Sequence, residues 1–190
     1  MNEEVVKLDI EKLKAVVLYI CGRLEAAQLG KVKLHKILYF TDMLWYSETG
    51  EPMTGAHYQK QQFGPMAREL KQALGQLELS GSLTQLKRKF YGFEKTDFVV
   101  KEAGSAPTNR LSKDEYALID IVTDFVCEKS AKEISEISHN AAWHAAALGE
   151  DLPYFSVYGW AGGEVTDEDL SQAAAVARTL PPREQLTWYE

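Results

Sequence analysis

Cysteine is almost missing from this chain of 190 residues, which holds only Cys21 and Cys127. Two thiols cannot build the disulfide framework of a small secreted scaffold, and they form no C-x-x-C pair. Both fall in stretches of helical periodicity, where they read as small buried thiols rather than as a disulfide. Long apolar runs are missing too, and none approaches the roughly 20 residues of a membrane span. The start MNEEVVKLDIEK lacks the basic-then-apolar plan of a signal peptide. A cytoplasmic location is therefore expected, with no membrane among the partners.

Histidine is scarce, at four: His35, His57, His139 and His144. His139 and His144 are five apart and do not share a helical face well, and there is no H-E-x-x-H, so no metal site is assigned. No G-x-S-x-G elbow occurs, and Gly162-Gly163 lacks the spacing and the lysine of a phosphate-binding loop. Neither cysteine has an activating context. The carboxylates sit at capping and surface positions. No catalytic residue and no cofactor is assigned, and the chain reads as a non-enzyme. Positive charge is also short, with 21 Lys and Arg against 28 Asp and Glu and a net charge of −7. That balance disfavours nucleic acid as a partner, because sequence-independent binding is driven by counterion release from phosphates. The one basic cluster, Lys87-Arg88-Lys89, reads as a solvated strand edge.

What is present is helical periodicity. Asp9 caps a first helix whose apolar stripe is Ile10, Leu13, Val16, Val17, Ile20, Leu24 and Ala27, with Gly30 as its end. A second helix over about 31–48 carries Leu34, Ile37, Leu38, Leu44 and Trp45 on one face, with Tyr39, Phe40, Met43 and Tyr46 over much of the rest. A helix apolar nearly all round is normally enclosed by other elements. Gly50 and Pro52 mark a loop, and Tyr58–Phe63 reads as either a short extended segment or an irregular turn. Pro65 suits the first position of a third helix, where its missing N–H is harmless. That helix carries Met66, Leu70, Ala73, Leu74 and Leu77 and stops at Gly81.

Residues 84–101 are aromatic and β-branched, which predicts a β-hairpin, and 103–110 reads as a loop. Ser112-Lys-Asp-Glu115 and Ser130-Ala-Lys-Glu133 are capping boxes. They open one helix burying Leu118, Ile119, Val122, Phe125 and Val126 and a shorter one with Ile134 and Ile137. Thr166-Asp-Glu-Asp169 resembles a third start, and Pro181-Pro182 stops the helix after it. The predicted fold is mainly α: a compact helical domain around a central apolar helix, with a small β-hairpin. One domain over 1–165 is expected, with a C-terminal helix and tail over 166–190.

The stretch Ser138–His144 contains His139 and Trp143. From the residues alone a packed helix junction is the simpler reading, and a recognition pocket lined by imidazole and indole is the sharper one. The same choice holds for Tyr46, Tyr58, Phe63 and Trp160.

The run Lys33-Leu34-His35-Lys36-Ile37-Leu38-Tyr39-Phe40 resembles the "KLQKLLYF" helix of the SocA-like Panacea domain, found in bacterial and phage antitoxins. Thr49-Gly50-Glu51-Pro52-Met53 resembles that family's "tG-x-Pl" loop. Gln62-Phe63-Gly64-Pro65 resembles its "kyGPv" element, with Phe for Tyr and Met66 for Val. Ser130–Ile134 followed by Ser138-His139 and Trp143 is similar to its "sa-x-eLs-x-lsH" segment and later Trp. The likeness covers about residues 10–150. It departs at His35, where Gln is more usual, and at Gln59-Lys60-Gln61, where an "AW" pair often stands.

The resemblance implies an antitoxin that neutralises a cognate protein toxin by direct contact. Relatives pair with diverse toxins, including alarmone-synthetase-like translation inhibitors. A proteolytic adaptor and a DNA-binding regulator are the alternatives; the second needs a basic recognition helix, and none of the candidates is convincingly basic. The expected partner-binding residues are Tyr58, Phe63, Met66 and Arg68, with His139 and Trp143 nearby. A homo-oligomer is left open.

Overall fold

A computed structural model describes residues 6–26, 28–90, 92–101 and 110–160. Helix α1 (Ile10–Arg23) begins where Asp9 accepts a hydrogen bond from the Lys12 N–H at 2.9 Å. It stops well before Gly30, with Leu24 extended. Gly22 weakens the final turn, and Arg23 is drawn sideways by Asp120 and Asp124. Helix α2 (Lys31–Thr49) ends when the Gly50 N–H closes on the Tyr46 carbonyl. It lies against α1 and, from later in the chain, against the helices Lys113–Cys127 and Ala131–Ile137, the strands Met66–Ala67 and Phe93–Val100 and the 3-10 helix Tyr154–Gly159. Its buried face holds Leu34, Ile37, Leu38 and Met43, each worth roughly 1.5–3 kcal/mol. The same helix also buries Lys36, Thr41 and Asp42.

The next segment departs from expectation. Tyr58–Gln59 forms a short strand, β1, while Pro65 opens no helix. The Pro65 carbonyl is held by Lys36, and Met66–Ala67 becomes strand β2 paired antiparallel to β1. Helix α3 (Leu70–Leu79) therefore starts five residues later than Pro65 and still buries Leu70, Ala73, Leu74 and Leu77. Strands β3 (Leu83–Phe90) and β4 (Phe93–Val100) make the predicted hairpin, with Leu83 opposite Val100 and Phe90 opposite Phe93. Lys87 pairs with Glu94 at 2.8 Å and Arg88 with the buried Asp97 at 2.9 Å, so two of the three basic residues answer charges on the neighbouring strand.

Both capping boxes form, at Ser112–Glu115 for α4 (Lys113–Cys127) and at Ser130–Glu133 for α5 (Ala131–Ile137). Phe125, expected in the core, is 40% exposed, and Ile137 of the shorter helix is 45% exposed. Each sits at the edge of its helix's apolar stripe, where it meets solvent. Helix α6 (Ala141–Ala145), strand β5 (Asp151–Leu152) and the 3-10 helix (Tyr154–Gly159) complete the described chain. Strand β5 pairs with β1, giving a three-stranded antiparallel sheet in the order β2-β1-β5. Cys21 and Cys127 are both free thiols, buried and half-buried respectively. Mainly α with small antiparallel sheets is the fold class. The boundary at 165, the helix expected from Thr166, its Pro181-Pro182 stop and the loop over 103–109 lie outside the described residues. Among the described residues no helix is long and apolar enough to cross a membrane.

Candidate functional site

The loop from Lys60 to Pro65 links β1 to β2, and it is fixed from beneath by residues far away in the chain. Lys36 of α2 is 2% exposed and donates from Nζ to the Pro65 carbonyl at 2.9 Å. Gly64 has a φ of +90°, and a Cβ there would fall 2.3 Å from Ser138 Oγ and 2.6 Å from Lys36 Nζ. Only glycine satisfies both the left-handed backbone and that approach. Ser138 is itself buried and donates to the Ser135 carbonyl at 2.7 Å. Farther along, the Trp143 indole N–H donates to the Gln61 carbonyl at 3.2 Å. The Lys60 backbone pairs with Glu150 and Gly149, extending the contact between β1 and β5. Three separate parts of the chain thus hold one loop.

Trp143 is itself engaged. His139 stacks on it with centroids 3.7 Å apart and 12° between planes, and Lys60 Nζ lies 4.2 Å from the ring centroid. Lys60 also donates to the Ala146 carbonyl at 2.8 Å. Asn140 caps α6 through the Trp143 N–H and donates to the Tyr39 hydroxyl, tying this corner to α2.

Electrostatics follow from burial. Desolvation pushes the Lys36 ammonium down to about 7, and among the described residues no carboxylate lies within ion-pair distance of it. His35 is lowered to about 3, first by burial and then by Lys36 and Lys31. It is a neutral acceptor, taking the Ala67 N–H on Nδ1 at 3.2 Å. His139 is also held below the usual histidine range, by burial first, then by Lys36 and His144. Its Nε2 is buried without a partner.

Behind the loop lies a second buried polar centre. Asp42 is 0% exposed and accepts from the Thr54 N–H and the Tyr58 hydroxyl, both at 2.7 Å, and from the Thr54 hydroxyl. Tyr154 stands 3.2 Å away and donates to the Ala56 carbonyl at 2.7 Å. Burial raises the Asp42 carboxyl, while its hydrogen bonds to Thr54 and Tyr58 pull the other way. Each donor offsets part of the desolvation of the carboxylate. Asp42 joins α2, the 53–58 loop and the 3-10 helix.

Of the six residues singled out from sequence, Phe63 and Arg68 are exposed, Met66 half-buried, and His139 and Trp143 half-buried against each other. Phe63 lies between the two anchor points of the loop, Gln61 against Trp143 and Gly64 against Ser138. Arg68 directly follows β2, with its guanidinium 3.6 Å from Asp151 of β5. Tyr58 is corrected: at 1% exposure it is a core residue serving Asp42, because its ring fills the space between Tyr39 and Tyr154. Reasoning from sequence passed over Lys36, Asp42, Lys60, Gly64 and Ser138. For Lys36 and Asp42 the signal was present as the two charges inside the largely apolar stretch from Leu34 to Tyr46. Among the described residues no group of three His, Cys, Asp or Glu could hold a metal ion.

Comparison with protein-family models matches residues 34–144 to the family described as "Antitoxin SocA-like, Panacea domain". That span runs from the start of the buried face of α2 to the end of the His139–Trp143 corner. Curated proteins and solved structures returned no match.

Proposed function

The chain belongs to the SocA-like Panacea antitoxin domain family, and on that footing we propose that it neutralises a cognate protein toxin by direct contact. It acts by binding rather than by catalysis, with α2 as the organising centre of the module. The contact surface is the loop around Phe63 together with the His139–Trp143 corner, and it reaches Arg68 along β2. A translation inhibitor of the alarmone-synthetase kind is one toxin of the expected class.

The observation that carries this proposal is the exposure of Phe63. Its ring is 63% exposed on a loop whose backbone is fixed at Gln61 and Pro65. A large apolar side chain held out to solvent on a rigid mount loses little freedom when a partner covers it, and that favours binding. Aromatic residues and arginine also dominate the energetics of protein interfaces. Met66 is half-buried in β2, and Tyr58 contributes only through the shape of the core.

The test is co-expression with the product of the adjacent gene. Growth rescue together with a complex that survives purification is the expected result. Absence of both would overturn the proposal.

A further inference from the structure

We propose that the surface made by Lys60, Phe63, His139, Trp143 and His144 receives an acidic segment of the protein partner. Carboxylates lie against Lys60 and His144, and an apolar side chain lies against Phe63. This rests on the toxin-binding role proposed above for the same corner and adds the chemistry of what docks there.

Charge complementarity carries the inference. The chain is acidic overall, at −7, yet this corner gathers basic groups. Lys60 lies over Trp143, His144 has its ring 5.1 Å from that of Trp143, and Lys36 lies beneath the loop, without a carboxylate partner among the described residues. Of the acids around it, Asp151 is shared by Gln59 and Arg68, Glu69 is bound to His57, and Glu136 is exposed and 3.9 Å from Lys132. The carboxylate of Glu150 accepts from the Ala147 N–H. The environment of His139 reports the same balance: Lys36, His144 and Lys60 all oppose its protonation, and Glu136 alone favours it. An acidic partner segment would meet favourable potential here and repulsion over much of the remaining surface, which fixes where it docks. Lys60 can serve such a segment, since one of its three donors is spent on Ala146.

A nucleic acid is the other polyanion to weigh. Single strands bind by stacking bases on open aromatic faces. Here His139 lies flat on Trp143 and Lys60 covers the same indole, so that ring is already occupied. The net charge also opposes a long polyanion.

The experiment uses the full chain and the product of the adjacent gene, with affinity measured by calorimetry at 50 and 300 mM salt. Lys60→Glu is expected to weaken binding about tenfold or more at low salt, with a smaller difference at high salt. Glu136→Lys is expected to tighten it severalfold. Its side chain is 63% exposed, so this variant does not depend on repacking the loop. Wild-type affinity from both variants, or weaker binding by Glu136→Lys, overturns this inference while leaving toxin binding intact. Tighter binding of a single-stranded RNA 12-mer than of the toxin also overturns it. No complex from the wild-type chain overturns both proposals.

Discussion

Replacing Lys36 by Met should change the pH dependence of stability in a way that identifies a buried, uncompensated ammonium. In the unfolded chain the lysine keeps its proton up to about pH 10.5; in the folded protein burial brings that value down to about 7. Between these limits the unfolded state binds more protons, so wild-type stability rises with pH by about 1.4 kcal/mol per pH unit from this group. Its contribution is fully present above about 10.5 and lost as pH falls through about 7. Across the whole interval the difference is on the order of 5 kcal/mol. Methionine cannot titrate, but it leaves the Pro65 carbonyl without its donor, at about 1–3 kcal/mol. Lys36→Met should therefore be more stable than wild type by about 2–4 kcal/mol at pH 6 and no more stable, or less stable by up to about 2 kcal/mol, near pH 10. The assay is urea unfolding of both proteins at intervals from pH 6 to 10, read as the difference between them so that other titrating groups cancel. A difference independent of pH would refute the reasoning.

Three further outcomes are expected. Gly64→Ala meets both a left-handed backbone and two buried polar atoms, and should cost about 2–5 kcal/mol in thermal unfolding. Gly149→Ala, at a φ of +86° but with open space around it, should cost only about 1–2 kcal/mol; equal losses would remove the packing argument. Asp42→Asn should destabilise by about 2–3 kcal/mol in denaturant titrations at pH 4. Because burial raises the folded carboxyl, wild type loses stability as pH climbs through that raised value, and the deficit of the variant should shrink; a deficit that grows with pH would contradict this. Phe63→Ala should lower toxin affinity by about 2 kcal/mol with an unchanged melting temperature, and a lowered melting temperature would place the ring in the core instead.

The existence of α1 to α5, both capping boxes and the hairpin could be read from the chain because each is encoded locally. Ser112 and Glu115 satisfy one another's backbone within a single turn, and no distant residue is required. Pro65 shows where local signals stop. Its preference for a first helical turn is real, yet the Lys36 ammonium and the pairing of Met66–Ala67 with β1 override it, and both come from elsewhere in the chain. Tyr58 failed as a surface residue for a related reason. A tyrosine in a loop looks available until Asp42, sixteen positions earlier, proves to be its hydrogen-bond partner. The residues that the proposal keeps, Phe63 and the His139–Trp143 pair, were picked by residue type and by family likeness. Their meeting was not legible, since it depends on backbone carbonyls that any residue supplies.

The way the Lys60–Pro65 loop is held has a consequence for how such a module diversifies. Its anchors grip main-chain atoms: the Gln61 carbonyl by Trp143, the Pro65 carbonyl by Lys36, and the Lys60 N–H and carbonyl by Glu150 and Gly149. None of these attachments uses the side chain of Gln61, Gln62 or Phe63. Those three positions can accept new side chains while the loop keeps its shape, much as a printing frame takes new type. With the loop crest as the toxin contact proposed above, a lineage could exchange one toxin for another through a few substitutions there, with Lys36, Gly64 and Ser138 left untouched.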